Sequence, residues 1–316
     1  REDDNVELYS DTEQAVVEKK ARGQADFIEY FGKQAAKRHK NDSKSIGVNW
    51  DRAHDLLKIF TKEKPLPFAQ IDMHLIESFR DFLLKAPRGG NKSGTISQNT
   101  ASTYFTLFKA ALHQAFIDSY FDVDIAAKVK GISGVESRRE YLTIEELNKL
   151  AATPCEYPML KKAAFFSALT GLRHSDIRKM TWKELSVEGD HYRINFTQRK
   201  TGGVEYMPIS EQAYLICGEP AEPDRLVFEG LQDPSWINRP VKKWIEAAGI
   251  KKHITFHCFR HSYATNQLTE GTDLYTVSKM LGHTNIRTTQ IYAKVVDSKK
   301  EEATQAIKLN LQSDVI

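Results

Sequence analysis

Histidines and arginines crowd the last third of this chain in an order that could handle an anion. The stretch HITFHCFRHSYATNQLTEGTDLYTVSKMLGHTNIRTTQIYAK, from His253 to Lys294, carries His257, Arg260, His261 and His283 and runs up to Tyr292. Cationic donors gathered about one hydroxyl suit attack on a phosphodiester. A phenol, with a pKa of about 10, is a poor nucleophile at neutral pH, and a phosphate repels anionic attackers, so positive charge and directed hydrogen bonds must be supplied. Two arginines fit the non-bridging oxygens, because each presents a planar fork of donors that stays charged. A lysine or histidine fits proton transfer to a departing alkoxide.

The sequence offers such a set in order. Arg173 follows Gly171 at a helix start, where free backbone amides favour an anion. Lys200 sits at the turn of a predicted hairpin, and His257 and Arg260 are one helical turn apart. His283 follows Gly282 just past a helix end, and Tyr292 comes after a further short helical step. Each residue alone has an ordinary explanation: a surface charge, a solvated lysine, a packed aromatic. Their order and surroundings carry the reading. A rival keeps the histidines and changes the chemistry, since His253, His257 and His261 are spaced four apart and could face a metal. No acidic residue lies within that run and Arg260 would repel a cation, so no metal and no other cofactor is expected.

The elements that must position these residues follow from patterning. A length of 316 residues favours two domains, and 41% hydrophobic content is enough for two cores. Lys+Arg at 45 against Asp+Glu at 42 leaves a net charge of +3, so the case for a polyanionic partner rests on where the charges lie. Three cysteines without C-x-x-C pairing argue against a disulfide framework or thiolate zinc site and read as reduced cytoplasmic thiols. No apolar run approaches the ~20 residues needed to span a bilayer, and no signal peptide is seen. The chain opens at Arg1 inside a charged, helix-compatible stretch, as a piece of something longer would.

From about Gln14 to Asp118 the pattern is helical. Asp72 is the expected N-cap of one helix, with Leu75, Ile76, Phe79, Phe82 and Leu83 on one face, and Ser97 caps a longer one with Phe105, Phe108, Ala111 and Leu112 as its stripe. The loop between them combines glycines with Arg88 and Lys92, which suits phosphate contact or a plain solvated loop. Near Gly131 and Gly134 the texture breaks, and Thr143 with Glu146 forms a capping box. Beyond it, alternation at Tyr192, Ile194 and Phe196 and again at Val204, Tyr206 and Pro208 predicts a β-hairpin. The expected fold is mostly α (α+β): two helical lobes, the second with a small antiparallel sheet.

At the level of motifs, ALTGLRHSDI, TQRKTGG, HCFRHSYAT and LGHTNIRTTQIYAK resemble the tyrosine recombinases, or phage integrases, over residues from roughly 20 to 295. Finer likeness is to the branch carried by Bacteroides-type mobile elements. The resemblance implies that Arg173 and Arg260 clamp a scissile phosphate, and that His257 and His283 complete its hydrogen-bonding cage, His257 being the better placed to deprotonate the tyrosine. It also implies Lys200 as general acid for the leaving 5′-oxygen and Tyr292 as nucleophile. Arg199 competes for the lysine's role, but Thr201 matches the family's K-T pattern. Asp176 and His261 fall where relatives keep residues that orient the arginines and histidines.

The same resemblance divides the chain into a coupling segment (1–19), a core-type DNA-binding domain (20–130) and a catalytic domain with a C-terminal tail (131–316). It places the helix after Ser97 in the major groove, offering Asn99, Thr100, Thr103 and Lys109, with Arg88, Lys92 and Arg139 on phosphates. The implied partner is double-stranded DNA, bound by a homotetramer whose protomers exchange tails, with DNA-bending accessory proteins and no membrane, in the bacterial cytoplasm at the nucleoid. The implied reaction is recombination through a 3′-phosphotyrosyl link and a Holliday junction. A type IB topoisomerase shares the chemistry and is the alternative, and a binding module without catalysis is a third reading, although every expected catalytic position is filled.

Overall fold

A computed structural model describes residues 3–41, 44–90, 93–135, 139–197, 204–293 and 304. The chain divides into two compact units, residues 1–137 and 138–316. The first is helical: α1 (Asp3–Gln24), α2 (Phe27–Asn41), α3 (Lys44–Phe60), α4 (Met73–Leu83), α5 (Gln98–Ile117) and the short α6 (Ile125–Lys128). The expected caps are in place. Asp72 accepts from the Leu75 amide at 2.8 Å, and Ser97 accepts from the Thr100 amide at 3.2 Å. Each satisfies an amide that has no partner inside its helix. The apolar stripes of α4 and α5 meet α2 and α3 in an aromatic core, where Phe108 touches Phe79 at 4.7 Å and Phe27 edge-on at 5.8 Å.

One face of α5 departs from the expected arrangement. Asn99 donates to the Val135 carbonyl at 2.9 Å and accepts from the Val135 amide at 2.8 Å. Gln98 and Ser102 donate to the carbonyls of Ser133 and Ile132, and the Lys109 ammonium donates to that of Val129. Asn99 and Lys109, expected to face a DNA groove, are thus engaged by the chain's own 129–135 segment. The physical reason is that an extended segment with unpaired peptide groups takes the nearest side-chain donors. Thr103 turns its hydroxyl back to the Asn99 carbonyl, as helical threonines do, and Thr100 shares a hydrogen bond with Ser97.

The second unit begins with α7 (Ile144–Ala152), whose capping box is complete: the Thr143 amide donates to Glu146 at 2.9 Å and the Glu146 amide to Thr143 at 3.3 Å. Then come α8 (Pro158–Thr170), α9 (His174–Lys179), and a sheet of β1 (Leu185–Glu188), β2 (His191–Thr197) and β3 (Val204–Ile209). The sheet is antiparallel in the order β1-β2-β3, with Leu185 opposite Ile194 and Tyr192 opposite Ile209. The predicted hairpin is β2 and β3. The strand β1, only four residues long, is an addition to it. Then follow α10 (Glu211–Cys217), α11 (Pro234–Ala247), α12 (Phe256–Thr269), α13 (Leu274–Met280) and α14 (Arg287–Ala293). The core of this unit gathers Phe166, Phe228, Trp244 and Phe259, and a smaller cluster packs Tyr263, Val277 and Leu281 around Tyr292.

Candidate active site

The helix α12 carries most of the chemistry. Its start is fixed because the Phe256 amide donates to the Asn238 side chain, and the Leu142 amide donates to Ser262 further along. Such ties set the rotation of α12, so Arg260 and His261 point inward, 2% and 6% exposed, while His257 is exposed.

Arg260 is held by main chain from two other elements. Its Nη1 donates to the Gly171 carbonyl at 2.6 Å, and its Nη2 donates to the Leu281 carbonyl at 2.7 Å and to His283 Nε2 at 3.0 Å. A guanidinium has no acceptor, so His283 Nε2 must be unprotonated. The ring proton is therefore on Nδ1, which donates to Thr289 Oγ1 at 2.7 Å. In this state both nitrogens of His283 steady Arg260 and α14, and neither offers an N–H to the cleft, as a cage donor would. Burial and the Arg260 charge push its pKa down to about 4. Thr289, fully buried, escaped the sequence reading; its only signal was its place six residues after His283.

Gly171 makes this arrangement possible. Its φ of +72° ends α8 in the left-handed region, and a Cβ there would lie 2.6 Å from Tyr263 Cδ1 and 2.8 Å from Leu281 Cδ2. The turn sends the chain into Arg173, the N-cap of α9, whose guanidinium lies 3.9 Å from the buried Asp176 carboxylate. Asp176 thus stands beside Arg173. Burial, then the like charge of Arg173, lowers Arg260 to about 10, which leaves it charged at neutral pH.

Tyr292, on α14, is 3% exposed, and its Oη and His261 Nδ1 share a hydrogen bond of 2.7 Å. Burial raises the phenol's pKa, while Arg260, Arg139 and Arg173 pull it down. His261 is pushed down to about 3 by burial, with His257, Arg139 and Arg260 adding to the effect. The ring of His257 meets that of His261 edge to face at 4.5 Å. Sequence reasoning gave the tyrosine's proton to His257; in the structure the imidazole on the phenol is that of His261. The two histidines lie on one helical face, and α14 packs beside the deeper one.

The structure therefore brings Arg173, Asp176, His257, Arg260, His261, His283 and Tyr292 into one cluster of interacting side chains. Lys200 and Arg199, expected at the hairpin turn, lie outside the described residues, as does Lys92. Arg139 enters by another route: three residues on, Leu142 is pinned to α12 through Ser262 and Asn266, and the guanidinium acts on both His261 and Tyr292. Arg88, exposed, donates through Nε to the Thr95 carbonyl of its own loop. Among the described residues no group of three or more His, Cys, Asp or Glu gathers as metal ligands, and no helix is long and apolar enough to cross a membrane.

The chain resembles known proteins over both of its units. The phage integrase family model matches residues 140–299, and the phage integrase SAM-like domain matches 26–130. A tyrosine recombinase of Pseudothermotoga lettingae is 30% identical over 190 residues, covering 55% of this chain and 64% of the relative. One from Thermosipho africanus is 28% identical, over 53% of this chain and 62% of its own length. The chain thus spans somewhat under two thirds of these relatives. Among solved structures, the XerH site-specific recombinase bound to a palindromic difH substrate superposes with a TM-score of 0.68 at 18% identity, over 87% of this chain and 83% of that one. The Tn1549 transposon integrase in complex with transposon right end DNA does so with 0.61 at 17%, over 89% and 100%. These likenesses establish a shared fold. Because the integrase match takes in half of the sequence, from before Arg173 to beyond Tyr292, the chain belongs to the phage integrase family, that of the tyrosine recombinases.

Proposed function

We propose that this protein is a site-specific DNA recombinase that cuts and rejoins strands through a 3′-phosphotyrosyl intermediate and a Holliday junction. The observation that carries the reading is a buried tyrosine hydroxyl within electrostatic reach of two guanidinium groups from distant parts of the chain. Arg173 and Arg260 take the non-bridging oxygens and His257, at the mouth, adds a donor. Lys200 protonates the leaving 5′-oxygen and Tyr292 attacks phosphorus. Because the phosphotyrosyl link conserves the energy of the cleaved bond, rejoining needs no nucleotide. The cited relatives are named recombinases and integrases, which favours strand exchange over the relaxation of a type IB topoisomerase.

Duplex DNA is the partner, contacted by Arg88, Lys92, Thr100, Thr103 and Arg139, and the working form is a tetramer in the cytoplasm, assisted by DNA-bending proteins. A lambda integrase tetramer bound to a Holliday junction is among the structures that share this fold. Tail exchange is supported by a groove of about 880 Å³, lined by Leu147, Phe165, Leu169, Leu215 and Ile216, whose apolar character matches the Ala303, Ile307 and Leu311 sequence pattern of a neighbour's tail. Deleting everything after Val296 is expected to weaken synapsis and spare single-site binding; unchanged recombination would remove the tail from the account.

The test of function is covalent trapping. Pooled nicked duplexes of varied sequence are mixed with the protein, denatured, and any attached DNA is sequenced. The parent protein forms an adduct, and Tyr292→Phe binds DNA without forming one. An adduct that survives in Tyr292→Phe would show the nucleophile to be another residue.

A further inference from the structure

Of the groups described around Tyr292, His261 alone offers its phenol oxygen a nitrogen at hydrogen-bond distance, 2.7 Å. Arg260 stays protonated at working pH and cannot accept a proton. His257 lies one turn earlier on α12, exposed, with its ring against that of His261 and not at the phenol in any described hydrogen bond. A phenol O–H closed off from water must donate to an acceptor or go unmatched, and unmatched buried donors are rare. Nδ1 is the acceptor at hand, which puts the imidazole's own proton on Nε2.

We propose that His261 is a catalytic residue of this site: its Nδ1 accepts the proton of Tyr292 as the phenol oxygen attacks, and returns it when the strand is rejoined. The inference rests on the recombinase reading and deepens it. In the forward step the Oη–P bond forms, the P–O5′ bond breaks, the phenol proton passes to Nδ1, and O5′ takes a proton from the Lys200 ammonium. In the reverse step the 5′-hydroxyl attacks phosphorus and gives its proton back to the Lys200 amine. The departing phenolate recovers its own from the His261 imidazolium. Nothing is gained or lost over the cycle.

The environment of His261 fits this duty. Burial and the neighbouring charges keep the ring neutral at working pH, so Nδ1 carries no proton of its own and can accept the phenol's, although the same lowering makes it a weak base as long as those charges are unopposed. The same charges, from Arg139, Arg260 and, once protonated, His257 and His283, resist an imidazolium until a phosphate anion sits among them. Attack therefore waits for DNA.

The experiment measures single-turnover adduct formation on the pooled nicked duplexes for the parent, His261→Asn and His261→Ala. Each carries at position 292 either tyrosine or a fluorinated tyrosine with a more acidic phenol. Asparagine keeps a hydrogen-bond acceptor near the place of Nδ1 but cannot take a proton. Both variants are expected to slow by ~100-fold or more, the common contribution of a general base, with DNA retention in a gel shift changed by less than about threefold. Fluorination should restore about tenfold or more of the lost rate in the variants and alter the parent little, because a weaker base matters less to a stronger acid. A His261→Asn rate within about threefold of the parent would overturn the proposal. So would faster cleavage by His261→Ala, which would make the ring a mere parking place for the phenol, or slow variants that fluorination does not rescue. A parent protein that forms no adduct would bring down the recombinase reading first, and so tells the two failures apart.

Discussion

Acid should loosen the second unit well before its carboxylates titrate. The folded protein holds His261 at about 3 and His283 at about 4. An unfolded chain gives both rings a value of about 6.5. Both folded values are lowered, so stability is full above the unfolded pKa and is lost as pH falls from it toward the folded values. Between about pH 7.5 and pH 5 the buried His261 costs roughly 2 kcal/mol, and the half-buried His283, partly screened by solvent, costs less. Near pH 5 the loss depends on the unfolded reference alone, since both folded rings are still neutral there. The assay is urea unfolding at the two pH values, for the parent and for the double variant His261→Gln, His283→Gln. Subtraction isolates these rings from His54 and His174, which burial also lowers and which titrate in both proteins. A double variant that loses stability as steeply as the parent would refute the reasoning.

Three further outcomes are expected. Gly171→Ala places a Cβ in the left-handed region and against Tyr263 and Leu281, for a loss of about 2–5 kcal/mol in denaturant unfolding, and it displaces a carbonyl that receives Arg260. Replacing Arg173 by Ala, or Arg260 by Lys, should remove several kcal/mol of transition-state stabilisation, on the order of an oxyanion donor, read as kcat/KM against a much smaller change in DNA affinity. Asn99→Ala frees both peptide groups of Val135 and should cost about 1–2 kcal/mol, seen as faster amide exchange at Val135.

What was legible in the sequence was local. Asp72, Ser97, Thr143 with Glu146, and Gly171 announce helix ends because a cap needs only a few neighbouring residues. The order of arginines, histidines and tyrosine was legible as a motif for the same reason. Depth was not: His257 and His261 share a face at helical spacing, and only the packing of α14 decides which meets the phenol. The occupation of Asn99 and Lys109 was hidden because their partners are peptide groups, which every residue carries alike. The strand β1 is too short to show alternation and is recruited by pairing with β2.

The guanidinium of Arg260 rivets the end of α8 to the end of α13, and it does so with three of its five N–H groups. At most two remain to greet a visiting phosphate. Losing the side chain would therefore unpick a joint of the scaffold as well as blunt a tool. That joint is closed only when the chain folds, so no half-folded form of this unit could hold Arg260 in the same place.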